Sequence, residues 1–401
     1  LILRTLSGVV SSLGTISTFY GPVSMSSNGV QGNQVTIVDG TGLYVYDSQA
    51  RTLTTITSGV LPGPTNTLFI EGYTVVTAAN TNQWQISNFY DSSVYSPLMT
   101  AVAEFDPGNV RAVARVNRQL ILFGESVTEI WYDSGNDFPF DHVPNGLIEY
   151  GILAPASAVN VGDNTVLWLA KNKFGKGVVH QLVGYQSQNI TPRTIASIWR
   201  TYARLDDAIA FVYQDNGHVF YQLTFPTANK TWVYDTSMGM WHERGSYNPA
   251  MVLGRHLANT YVNFNGMHII GDYQNGNMYQ LDLDTYTDNS MPIYRQLVTY
   301  HITDKREQVR HNYLELEGES GVGTLTGQGS SPVINMEMSD DGGHTYSNAR
   351  SVPYGIQGAY QRVARWPWLG RTRNRVYRFS MSDPIKWRFL RLILDYMEQT
   401  S

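Results

Sequence analysis

Nine histidines, 33 carboxylates and no cysteine bound the chemistry open to this chain of 401 residues. Without a thiol there is no disulfide framework, no thiolate metal site and no cysteine nucleophile. No histidine stands at metal-ligand spacing from another histidine or a carboxylate, as H-x-E or H-E-x-x-H would require, so each reads as a packed or surface side chain. No nucleophile elbow, phosphate-binding loop or dinucleotide fingerprint is found. Gly318-Glu319-Ser320-Gly321-Val322-Gly323 lacks the Lys-Ser/Thr ending that a phosphate loop needs. Glu125, Glu129, Asp206 and Asp207 lie close in sequence, but such pairs on strands and turns are far more often solvated than catalytic. The chain therefore reads as a protein without catalytic residues, metal or cofactor.

Two motifs remain. Ser339-Asp340-Asp341-Gly342-Gly343-His344-Thr345-Tyr346 fits the Asp-box pattern S-x-D-x-G-x-T-aromatic. Its members Ser339, Asp341, Gly343, Thr345 and Tyr346 make a turn device. The Asp341 carboxylate accepts backbone N–H bonds across a tight hairpin, the glycines admit positive φ, and Tyr346 packs beneath the turn. The second motif is the densest run of charge, in which Arg362, Arg365, Arg371, Arg373, Arg375 and Arg378 interleave with Trp366, Trp368 and Tyr377. Such a run suits an acidic protein neighbour, the phosphate backbone of DNA, or a solvated strand face on which Arg371, Arg373 and Arg375 alternate. All three readings stay open.

The elements that must carry these motifs are strands. Tyr (26) and Trp (9) are frequent while charged residues make up only 15%, which favours sheets and broad contact surfaces over solvated helices. An apolar strand, a Gly/Asn/Asp turn and an aromatic strand, often closed by Asp, recur at 35–47, 73–87, 120–133, 166–182, 210–223 and 267–282. The five steps from Asp47 to Asp282 average about 47 residues, the length that a propeller blade of four short strands needs. The fold expected is all-β: a six-bladed β-propeller over 1–286 and an additional C-terminal β-sandwich-like domain over 287–401. In the fifth unit, 231–235 and 240–243 read as an extra hairpin; 88–101 and 133–151 read as long loops. After 286 the period is lost, and strands are expected at 298–301, 313–317, 333–338, 376–381 and 387–394. The best helix, 194–201, is short. No apolar run approaches the roughly 20 residues needed to span a bilayer.

Charge is unevenly spread. Residues 1–286 hold 14 basic and 21 acidic side chains, whereas 287–401 hold 14 and 12. An acidic majority does not grip nucleic acid through counterion release, but it suits the wall of a passage along which DNA slides.

Taken in order, several segments carry a resemblance: Leu122-Phe123-Gly124-Glu125-Ser126, Glu129-Ile130-Trp131-Tyr132, Asp137-Phe138-Pro139-Phe140, Thr231-Trp232-Val233-Tyr234-Asp235, Trp241-His242-Glu243-Arg244, the Asp-box, and Leu369-Gly370-Arg371-Thr372-Arg373-Asn374-Arg375-Val376. Together they resemble the packaged-DNA stabilisation family of short-tailed bacteriophages. The resemblance implies a virion tail protein, assembled in the host cytoplasm as a homo-oligomeric ring, a hexamer, around the DNA exit channel. It implies portal and adaptor proteins as partners, with a needle, fibres or tailspikes, and genomic double-stranded DNA passing without sequence specificity. The rival reading from the residues is a glycan-binding or sialidase-like propeller, which needs an arginine cluster and a tyrosine–carboxylate pair at the propeller centre.

Overall fold

The computed structural model describes residues 2–4, 10–105, 108–171, 175, 177–304 and 307–398. By packing, Leu1–Gly245 with Arg255–Tyr279 form one compact unit, and Ser246–Gly254 with Gln280–Ser401 form the other. The expected boundary at 286 falls inside the second unit. That unit also takes in a short hairpin, Ser246–Tyr247 paired with Leu253–Gly254.

The first unit is a series of antiparallel sheets in chain order. The first blade pairs Ser24–Ser27, Gln34–Val38, Leu43–Asp47 and Thr52–Ile56; the second pairs Pro64–Ile70, Tyr73–Ala78, Gln83–Asn88 and Asp91–Val102. Ala112–Val116, Gln119–Phe123, Thr128–Asp133 and Phe140–Ile148 make the third. In the fourth, Gly151–Ile152 and Val159–Val161 share the first position, beside Thr165–Lys171, Val178–Val183 and Gln186–Asn189. The fifth holds Ile209–Asp215, His218–Phe225, Lys230–Asp235 and Met240–Arg244, and the sixth Ala258–Phe264, Met267–Asp272 and Met278–Leu281. From the first blade to the sixth, each blade's leading strand neighbours the next blade's leading strand, the arrangement of a propeller.

In the third and fourth blades the second strand is apolar along its centre because both its faces are covered, and alternate side chains enter different cores. Leu120 and Leu122 face the second blade with Trp84 and Ile86, while Ile121 and Phe123 face the fourth with Val166 and Trp168. Leu167 and Leu169 turn the other way, toward Tyr221 and Leu223 of the fifth. The recurring Asp has an equally local cause. Asp47, Asp133, Asp235 and Asp282 each accept a backbone N–H two residues on, forming an Asx-turn after the third strand. The helix Arg193–Trp199 buries Trp199 in the core between the fourth and fifth blades.

Three expectations are corrected. The segments 231–235 and 240–243 are no extra hairpin but the third and fourth strands of an ordinary fifth blade; the repeat read at 210–223 was one strand out of phase. The loops expected at 88–101 and 133–151 contain outer strands, Asp91–Val102 and Phe140–Ile148, whose bulged registers hide the alternation. The strand expected at 298–301 is Arg295–Val298.

The second unit is a sandwich. One sheet runs Arg295–Val298, Val376–Met381, Val333–Ser339, Arg350–Pro353; the other runs Ala364–Thr372, Val309–Gly318, Phe389–Glu398. Leu314, Leu316, Ile334, Met336, Trp366 and Phe379 fill the space between them. Among the described residues no helix is long and apolar enough to cross a membrane.

Candidate functional site

The Asp-box occupies the turn after Val333–Ser339. Ser339 Oγ donates to Asp341 at 2.7 Å and accepts the Gly343 N–H at 2.8 Å, and Asp341 accepts the Thr345 N–H at 2.9 Å and its hydroxyl at 2.5 Å. These bonds, led by the Thr345 hydroxyl, hold the Asp341 carboxyl below the usual carboxylate range. Gly342 and Gly343 supply φ of 80° and 94°, values that other residues rarely adopt. Tyr346 is half-buried and carries the Arg378 guanidinium 3.7 Å above its ring. The Ser339, Asp341 and Thr345 side chains are all spent on the turn itself.

The arginine run is divided between two sheets. Ala364–Thr372 belongs to one and Val376–Met381 to the other, so Arg371, Arg373 and Arg375 do not share a strand face. Arg375 is 3% exposed. Its guanidinium holds Asp340 at 2.6 and 2.7 Å and the Leu369 carbonyl at 2.5 Å, and Thr372 donates to the same carboxylate at 2.8 Å. Arg375 is thus corrected from a contact residue to the pin that fixes the crossing. Beside it His311 is 2% exposed, 2.7 Å from the Tyr377 hydroxyl, and burial lowers it to about 4. Arg378 pairs with Glu337 at 2.7 Å and is partly buried. Arg362, Arg371 and Arg373 are exposed.

Arg365 stands at the rim of a half-open cavity of about 450 Å³ with Arg310, Tyr313, Pro367 and Trp368. It pairs with Glu315 at 3.4 Å and lies 3.9 Å over the Tyr313 ring. Between Tyr313 and His311 the strand has one residue where its neighbour, between Pro367 and Gly370, has two. This bulge lets Leu369 enter the core while Trp368 turns out, 80% exposed at φ 59°. Arg350 reaches across to the Pro367 carbonyl at 2.6 Å and the Trp368 carbonyl at 3.5 Å, and its own carbonyl accepts the Trp366 indole at 2.7 Å. Sequence reading missed Trp368, Arg310, Tyr313 and Arg350 as a group; only the Arg–Trp interleaving signalled them.

At the propeller centre a second cavity of about 450 Å³ is lined by Ser24, Thr65, Asn66, Thr67, Asn80 and Arg111, with apolar residues between. Arg111 is its one ionisable lining residue among those described. Glu125 lies 3.8 Å from Arg111, Asp206 is paired with Arg204, and Asp207 accepts from Thr227. Glu129 is buried, accepting the Trp131 indole at 3.1 Å and standing 3.2 Å from His142, a pair that thirteen positions of sequence conceal. Among the described residues no group of three His, Cys, Asp or Glu could hold a metal.

A family model described as "Bacteriophage P22 Gp10, beta-propeller" matches residues 1–286, and one described as "Bacteriophage P22 Gp10, beta-sandwich" matches 294–395. The chain belongs to the packaged-DNA stabilisation family of short-tailed phages. It is a phage tail structural protein of the virion, built as a propeller followed by a sandwich. For a member of this family, the Arg375–Asp340 crossing and the Asp-box are scaffolding within the sandwich, and the Trp368 face is its exposed feature. No curated protein matches the chain. Among solved structures, Kluyveromyces lactis Hsv2 is 10% identical over 62% of this chain and 69% of its own, at a TM-score of 0.35. The computationally designed Ika8 protein is 12% identical over 68% and 74%, at 0.38. Dihydro-heme d1 dehydrogenase NirN in complex with DHE is 10% identical over 88% and 67%, at 0.42. At such scores these likenesses carry no argument about this chain.

Proposed function

We propose that this chain is a subunit of the tail hub or nozzle. Six copies form a ring below the portal and adaptor proteins, enclose the DNA exit channel, and hold the packaged genome until ejection, without catalysing any reaction. The observation that carries this reading is the match of both domains, in order, to one phage tail family. The physics is compatible. Blades that share cores on both faces make a rigid wedge, suited to bearing the pressure of packed DNA. The propeller's own centre is filled by its leading strands around a small cavity, far too small for a duplex, so DNA passes between subunits and not through one. A sialidase-like reading needs its arginine cluster and tyrosine–carboxylate pair at the propeller centre, where Arg111 is the one ionisable lining residue among those described.

On this reading the ring assembles in the host cytoplasm and also meets needle, fibre or tailspike proteins. Cryo-electron microscopy of intact tails tests it: the expected result is a sixfold ring of this chain below the connector. Density for single copies away from the channel overturns it, as does normal DNA retention by particles that lack the chain.

A further inference from the structure

Resting on the ring reading above, we propose that the face around Trp368 is one half of the contact between neighbouring subunits, and that its occupant is the acidic propeller of a second copy. Three independent observations meet there. The first is backbone strain: Trp368 is bulky and not glycine, yet it sits at φ 59° on a bulge that Arg350 fixes through two carbonyls. The second is exposure, since a rigidly displayed indole beside the cavity is the kind of aromatic anchor that dominates protein interfaces. The third is charge. Arg310 and Arg371 lie directly opposite each other on adjacent strands, an unfavourable pairing of like charges, and no carboxylate among the described residues pairs with either. All three features are unfavourable in a lone subunit. All become favourable once an occupant covers the indole and sets carboxylates against the two arginines.

A closed ring of identical copies needs a head-to-tail contact between two different, complementary patches. The chain supplies both signs, because residues 1–286 carry 21 acidic against 14 basic side chains and residues 287–401 carry 12 against 14. Duplex DNA would satisfy the arginines but has no apolar pocket for Trp368. A neutral sugar would stack on Trp368 but leave the opposed Arg310 and Arg371 without a counter-charge.

The test uses the full chain, with p-benzoylphenylalanine at position 368 in a mixture of ¹⁵N-labelled and unlabelled copies, and with the variants Trp368→Gly and Arg310→Glu/Arg371→Glu. The expected cross-links join position 368 of one copy to a propeller peptide of another. Both variants weaken ring assembly by about tenfold or more in native mass spectrometry, and Trp368→Gly melts no lower than the wild type when both are diluted to dissociated subunits. Variants that form rings as readily as the wild type overturn this assignment while leaving the ring reading intact. Cross-links confined to sandwich peptides, or diverted to added duplex DNA, do the same. A wild-type chain that stays monomeric in solution and in isolated tails overturns both.

Discussion

Of the arginines in the run, the one that matters most to the fold is the one least able to touch a partner. Replacing Arg375 by Met removes the ion pair from Asp340 and leaves the Leu369 carbonyl without its donor. Breaking a pair so deeply held costs about 3 kcal/mol, reduced because Asp340 is itself half-exposed. Arg362→Ala, on open surface, changes stability by less than about 0.5 kcal/mol. Urea denaturation of the two full-length variants checks the contrast. Histidines set a separate, pH-dependent behaviour. Burial lowers both His180 and His311 to about 4, below the ordinary 6.5. As pH falls below 6.5 the unfolded chain takes up these protons first. The stabilisation is therefore complete above pH 6.5 and is lost between 6.5 and about 4, by up to about 1.4 kcal/mol per pH unit for each histidine. The Asp341 carboxyl, held low by Thr345, loses its contribution only below its ordinary 3.8, so the two windows separate. His180→Phe, set against Tyr150 and Trp168, flattens the upper window. An unchanged slope in urea titrations between pH 7 and 4 would sink the account.

At the scale of elements, the sequence was readable wherever burial is two-sided. Leu120–Phe123 and Val166–Leu169 announce themselves because neighbouring blades cover both faces. The fifth blade was read out of phase because Ala210–Tyr213 and Tyr221–Leu223 are as apolar as any second and third strands, and nothing local says which position in the sheet they take. Outer strands such as Asp91–Val102 were taken for loops because one face is solvated and bulges break the period. The Trp368 face escaped for a related reason. Arg310, Tyr313 and Arg350 are brought to Trp368 by pairing across sheets, which no spacing records. Two tryptophans then predict opposite outcomes. Trp168→Ala empties the core between the third and fourth blades and costs about 3–5 kcal/mol. Trp368→Gly leaves no cavity, relaxes a left-handed residue and raises stability by about 1 kcal/mol. Thermal melts of the full chain, diluted to dissociated subunits, distinguish them, and a destabilised Trp368→Gly would mean that the indole packs on its own subunit.

For the whole molecule, the uneven charge makes assembly an electrostatic problem as well as a packing one. A propeller half with seven surplus acidic groups and a C-terminal part with two surplus basic ones attract head to tail and repel head to head, which favours the sense of contact a ring needs. Such attraction is screened by salt, whereas covering Trp368 is not. Raising sodium chloride from about 0.1 M to about 1 M shortens the screening length from about 10 Å to about 3 Å. Rings of the wild-type chain are expected to weaken over that range without dissociating completely, because the indole remains covered. Neutralising both opposed arginines, as Arg310→Gln/Arg371→Gln, removes their mutual repulsion in the free subunit along with their attraction to the neighbour. This double variant therefore assembles less tightly at low salt and responds less steeply to added salt. Sedimentation velocity across a salt series reads both effects. Assembly of the wild type that does not respond to salt would show that the charge asymmetry serves the DNA passage and not the joints between subunits.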